Sequence, residues 1–391
     1  MMQHSGRDSS RLDALDGMRG FAALLVVIYH FTVRWTPPTN AECLYPYGAG
    51  LLEQLPWLQF LGAYGVNLFF LISGFVMVMT LEHCSGLPDF IVRRASRLWP
   101  TMLVCATLTT LIVNGSGISH RFATTADWNV GLVDYLLSVC FIDPAFVGRI
   151  LRIDGLSWVD AVYWTLWIEV RFYALVALVF WLAGSTRRFA WGWLGVEALS
   201  LLVLVLSTWQ SPLAHWTAKL ILQPDYLSWF TIGITAFYFW HGIVTLPVVI
   251  MAALAMIGLV VMAAKHEWGM PAEYLVLEIA VLSTFALIVF RTPLAGLFRM
   301  RWAVMLGMAS YPLYMFHEKV GIVVMNALAD AGLPVVIVPV AVAIALIAVA
   351  FTIHHAVELP AKSALLRKGL PAAKRLESMA PGLRFDRVRQ P

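Results

Sequence analysis

Charge is scarce in this chain. Asp, Glu, Lys and Arg supply only 13% of its 391 residues, roughly half the share a soluble domain carries. Cysteine is scarce too. Cys43, Cys84, Cys105 and Cys140 are the four, and their spacing matches neither a metal site nor a redox pair. Cys43 and Cys140 would be able to pair only if both faced outside. Short alternating strands are missing, which excludes an outer-membrane barrel. There is no Walker loop, dinucleotide fingerprint or nucleophile elbow. No internal repeat stands out, so the inverted-repeat signature of many transporters is absent.

Apolar residues fill the space that charge leaves. They make up 60% of the chain, and the mean hydropathy is +0.77. Most fall in blocks of about twenty residues, the length that crosses a bilayer core. The fold expected is therefore all-α and polytopic, with about ten transmembrane helices. Their limits are placed at 17–35, 62–81, 98–114, 160–183, 189–208, 221–240, 244–264, 273–290, 303–326 and 336–357. The stretch 130–142 is apolar but short, and is expected as an interfacial or re-entrant helix in a loop. Residues 36–61 form a second outer loop.

Placing both termini in the cytoplasm puts nineteen Lys and Arg inside and five outside, with three more at or within helices. That asymmetry satisfies the positive-inside rule. The net charge of +4 thus reads as membrane orientation, and no nucleic-acid partner is expected. The first apolar segment is long and lacks a small-residue cleavage site, so it is expected to stay as an anchor. Domain organisation reads as one membrane domain over 1–362 and a basic cytoplasmic tail over 363–391. The tail is Pro-interrupted and expected to be partly disordered.

Arg19 and His30 mark the first segment. Eleven residues is almost three helical turns, which sets both on nearly the same face and ~16 Å apart along the axis. Ionisable groups at such depth are costly and usually serve a site or pathway. A lone His is as often a hydrogen-bonded core residue, and a lone Arg an orientation signal; the pair on one face favours function. The second segment, G-A-Y-G-V-N-L-F-F-L-I-S-G-F, carries Asn67 and Ser73 among glycines that also suit close packing. R-R-A-S-R-L-W-P follows, with Arg94 and Arg97 three apart, a fork suited to phosphates as well as to orientation. The fourth segment opens Y-W-T-L-W-I-E-V-R-F-Y, where Glu169 can pair, orient an imidazole or bind a hydroxyl. The ninth reads S-Y-P-L-Y-M-F-H-E-K, with Tyr311, Tyr314 and His317. The adjacent His354 and His355 cannot both face one metal along a helix, so no metal site is expected there.

These blocks, in this order from residue 12 to about 362 and closing on V-E-L-P, resemble the acyltransferase-3 family of integral membrane acyltransferases. Any one block is weak evidence; six in register are strong. The resemblance implies ten or eleven spanning helices and transfer of an acyl group to hydroxyls of extracytoplasmic glycans or small molecules. It also implies cytoplasmic acyl-CoA as donor, with no permanently bound cofactor. Arg19 and His30 match the family's Arg and His separated by ten residues. Arg94 and Arg97 match its second arginine motif, and Glu169 its helix-opening Glu. The chain departs from the pattern at Asn67, where an acidic residue is common, and at Val170 and Arg171, where a second acidic residue is common. Glu318 and Lys319 replace what is commonly an apolar pair.

The chemistry expected has Arg19, Arg94 and Arg97 holding CoA phosphates and His30 as general base. Glu169 would stabilise the imidazolium. Ser73, Asn67, Tyr311 and His317 are candidates for the substrate or the oxyanion. The acceptor expected is an extracytoplasmic carbohydrate, with a small glycosylated metabolite as alternative, and the location is the inner cell membrane. A transporter lined by the same polar groups is the competing class; it would move substrate without consuming CoA.

Overall fold

The computed structural model describes residues 2–35, 55–121, 123–206, 220–265, 271–290, 292–334 and 336–385. Cys43 lies outside the described residues, as does most of the loop over 36–61. Among the described residues no strand forms, and the one β-bridge joins Gly86 to Arg384. Eight helical segments are long and apolar enough to cross a membrane. They are carried by α1 (Met2–Tyr29), α2 (Leu61–His83), α3 (Leu87–Ser116), α6 (Trp164–Ala183), α7 (Thr186–Leu206), α9 (Leu246–Lys265), α10 (Pro271–Val289) and α14 (Val338–Ile353), the last prolonged by a π-turn and α15 (Leu359–Met379). Between α3 and α6 lie two short helices, α4 (Leu132–Val139) and α5 (Pro144–Leu151). Eight residues rise only ~12 Å, so α4 on its own is far too short to span.

Two of the segments expected to cross are shorter than a bilayer core as single helices. α8 (Leu227–Trp240) has 14 residues. The region expected over 303–326 is divided into α11 (Arg301–Met308), α12 (Ser310–Phe316) and α13 (Glu318–Asp330). Pro312 explains the first break: it has no N–H for the carbonyl four residues back, and its ring crowds that carbonyl. The second break falls at His317, whose ring Nδ1 lies 3.0 Å from the Tyr314 carbonyl. Such interruptions are tolerated at membrane depth where protein surrounds them, and His317, Glu318 and Lys319 are all buried.

The chain divides into two compact units, whose boundaries fall within helices. The first comprises 1–66, 96–167 and 296–364. Its tightest packing sets α1 against the segment 298–307. A Cβ on Gly17 would lie 1.8 Å from the Phe298 carbonyl oxygen, and one on Gly307 1.8 Å from that of Asp16. Only glycine lets these backbones approach so closely. α12 and α13 both pack on α14. Arg121 clamps Asp330 through both guanidinium nitrogens, Nη2 at 2.7 Å, and so holds that carboxyl below the usual range. The pair is exposed and adds little stability.

The second unit comprises 67–95, 168–295 and 365–391. α2 and α8 cross at two glycines, with a Cβ on Gly74 or Gly233 reaching 2.1 Å from the Phe230 or Leu71 carbonyl oxygen. Phe172 stacks on Phe230 with centroids 3.9 Å apart. Glu197, fully buried, accepts from Ser228 (2.8 Å) and Thr231 (2.6 Å), which satisfies a carboxylate that would otherwise be costly. Of the tail expected to be partly disordered, the described residues run to 385 and are mostly helical. α15 continues to Met379, Glu377 accepts from the Asp89 N–H, and Trp181 donates to the Gly382 carbonyl. Its buried positions, Ala373 and Glu377, repeat at helical spacing, which is why the segment folds despite its charge.

Gly307→Ala is expected to cost about 1–3 kcal/mol through overpacking, read as a lower unfolding temperature in detergent. Gly296→Ala, where an added Cβ meets nothing within 4 Å, should leave that temperature unchanged.

Candidate active site

α1 leads directly into His30, in the first unit. There the helix widens into a π-turn over His30–Arg34, a local form common at functional sites. The cause is visible in the side chain. His30 Nδ1 lies 2.9 Å from the Val26 carbonyl oxygen, on the oxygen that an α-helical N–H would otherwise use. Thr32 competes in the same way for the Ile28 carbonyl.

The ring environment defines the tautomer. A nitrogen this close to a carbonyl oxygen must carry the proton, so His30 Nδ1 is the N–H. Its second neighbour is His317 Nε2 at 3.0 Å. His317 Nδ1 faces the Tyr314 carbonyl, so it too is an N–H, and its Nε2 accepts from His30. In the neutral ring His30 Nε2 is then left with a free lone pair, which is the condition for a general base. The side chain is 12% exposed.

A carboxylate stands beside that nitrogen. Glu318 Oε1 lies 3.5 Å from His30 Nε2 and accepts from Trp35 Nε1 at 3.0 Å. Asp160 precedes the 3₁₀ turn that opens α6; it accepts from the Lys319 N–H at 3.1 Å and also reaches the Val162 N–H. Asp160 thus caps α13 at its N-terminus, where unpaired N–H groups favour a carboxylate. Lys319 Nζ donates to the Trp158 carbonyl at 3.4 Å and sits 5.4 Å from the Trp128 ring centre. The Tyr314 and Thr165 hydroxyls meet at 3.0 Å.

The remaining expected residues are placed as follows. Arg19 lies 4.0 Å from Asp16, and Arg97 and Lys362 act electrostatically on the same carboxylate. Arg19 and Arg97 therefore belong to one basic patch in the first unit. Tyr311 donates to the Leu98 carbonyl at 3.1 Å. In the second unit Ser73 donates to Glu169 at 2.7 Å, and Tyr173 donates to the same oxygen. Asn67 is buried on the same helix as Ser73. Arg94 donates to Thr80 at 2.8 Å and lies 5.5 Å from the Tyr173 ring centre. The structure thus joins His30 to His317, and Ser73 to Glu169. Trp35, Asp160 and Glu318 are the polar neighbours the sequence reading missed. The available signals were an acidic residue opening one expected span, Asp160, and one inside another, Glu318. His354 pairs with Glu358 at 2.8 Å, and no cluster of metal-ligating side chains occurs among the described residues.

The fold is that of a polytopic helical membrane protein, with a largely buried histidine set beside a carboxyl group in its first unit. The chain belongs to the acyltransferase-3 family: the family's acyltransferase domain matches residues 12–355. No curated protein and no solved structure matches it.

Ser73→Ala and Tyr173→Phe each remove a donor from Glu169. Each is expected to cost about 0.5–1.5 kcal/mol, and the double variant more than the sum, because either single variant leaves the oxygen one donor and the double leaves it none. Thermal unfolding of the four proteins in detergent measures the cycle.

Proposed function

We propose that this membrane acyltransferase moves an acyl group, acetyl foremost, from cytoplasmic acyl-CoA to a hydroxyl of an extracytoplasmic glycan at the inner cell membrane. The observation that carries the reading is the presentation of His30 Nε2, with Nδ1 committed to Val26 and His317. It stands eleven residues along the helix from Arg19, so that base and permanent cation lie at different depths. Arg19 and Arg97, with Arg94, hold the donor's phosphates, for which planar guanidinium forks are suited. The thioester then extends toward His30. His30 Nε2 takes the acceptor's hydroxyl proton as the oxygen attacks the thioester carbon. Ser73, Asn67, Tyr311 and His317 are the polar groups proposed for acceptor and oxyanion. Glu169, held by two hydroxyl donors, is proposed as a catalytic carboxylate.

Membranes holding the wild type are incubated with labelled acetyl-CoA and surface glycan from the source cell. Label should reach the glycan with wild type and fall by about 10²–10⁴-fold in His30→Ala. Arg19→Ala and Arg97→Ala should raise KM for acetyl-CoA about tenfold or more, the loss of a charge-assisted contact. Transfer by His30→Ala at the wild-type rate would remove the base assignment. Glycan movement without CoA release would replace acyl transfer by transport.

A further inference from the structure

Glu318 and Asp160 pose a problem of proton count. Glu318 Oε1 is occupied by the Trp35 N–H and faces His30 Nε2. Its other oxygen, Oε2, is buried and finds no donor among the described groups. Asp160 accepts from the N–H of Lys319, next in the chain, and the Asp160 and Glu318 carboxyls act on one another, yet two ionised carboxylates only repel. A shared proton resolves both facts: one carboxyl donates to the other, the orphaned oxygen is satisfied, and the pair carries a single negative charge. Asp160 already accepts from backbone N–H groups and Glu318 faces His30 Nε2, so the proton is shared between the two carboxyls and shifts toward Asp160 when His30 becomes positive.

We infer that Glu318, through a proton shared with Asp160, is a positioning residue that stabilises His30 as imidazolium during acyl transfer. This rests on the proposed function for its catalytic meaning, while the pairing itself does not. When the acceptor's O–H bond breaks and its oxygen bonds to the thioester carbon, the proton passes to His30 Nε2. The new N–H points at Glu318 Oε1, and the single negative charge of the pair balances the imidazolium. As the C–S bond breaks, that proton neutralises the departing thiolate and His30 returns to its starting tautomer. Glu318 and Asp160 keep their one proton throughout.

Other charges face this group and set its background. Arg34 and Tyr29 lie on the same element as His30, with Arg34 acting on both His30 and Glu318. Lys319 acts on Asp160 and Glu318, and is itself faced by Asp127 and Asp134. His317 borders both His30 and Asp160. Because Asp160 and Glu318 act on Lys319, and Asp160 on His317, the readout of the paired variants is the sign of the His30 displacement and not its size.

The test is histidine NMR on the full-length protein in nanodiscs, with ¹³C-labelled imidazole and His30→Gln to assign the resonance. Glu318→Gln keeps an acceptor for Trp35 but leaves the charge on the more distant Asp160. Its His30 titration midpoint should fall by about half a pH unit or more. Asp160→Asn confines the charge to Glu318, and the midpoint should rise. Opposite displacements are not expected of a merely structural pair. Unchanged midpoints, or displacements of the same sign, overturn the inference. In turnover of acetyl-CoA, Glu318→Gln should lose kcat about 10-fold or more with KM unchanged, and Glu318→Asp should recover part of it. Opposite NMR displacements in a wild type inert toward acetyl-CoA would support the carboxyl pairing and overturn the donor reading instead.

Discussion

The hydrogen bond from His30 Nδ1 to the Val26 carbonyl and His317 Nε2 is the interaction on which the site depends. A neutral imidazole inside a membrane protein has one donor and one acceptor, and leaving either unmet is costly. Committing Nδ1 leaves Nε2 as the reactive atom. The same contact widens the end of α1 into a π-turn and requires His317 to face inward. His317 can do so because the chain is interrupted there. Asp160 then meets the N–H that the interruption exposes at the start of α13. Each local irregularity thus has a polar partner, and together they surround one nitrogen.

Most of the helices were legible because a bilayer demands long apolar runs. The second segment, expected at 62–81, is α2 at Leu61–His83, and the first was placed by its Arg and His. What hydropathy could not show is continuity. The run 303–326 is mostly apolar, but Pro312 and the ring of His317 divide it. The helix in the tail was hidden for the opposite reason. Its charge and its proline suggested disorder, whereas its buried positions fall at helical spacing and Pro371 sits inside the helix.

The site was half legible for a related reason. Spacing along one helix is readable, so Arg19 and His30 stood out. Pairings between distant segments are not, and the partners of His30 lie almost three hundred residues away. Glu169 is legible as a carboxylate because it opens an apolar helix. The structure gives it two hydroxyl donors of its own, and sets Glu318 beside the imidazole. Glu318 and Lys319, a departure from the family pattern, were visible as charges in an apolar run, but their direction depended on the break at His317.

The central claim is that His30 presents Nε2 to a thioester whose phosphates rest on the arginines. A cryo-electron microscopy structure with a non-hydrolysable acetyl-CoA analogue tests it most directly. The account predicts phosphates against Arg19 and Arg97, and the carbon replacing the thioester carbonyl beside His30 Nε2. An analogue bound with its acyl end away from His30, or its phosphates away from both arginines, would contradict it.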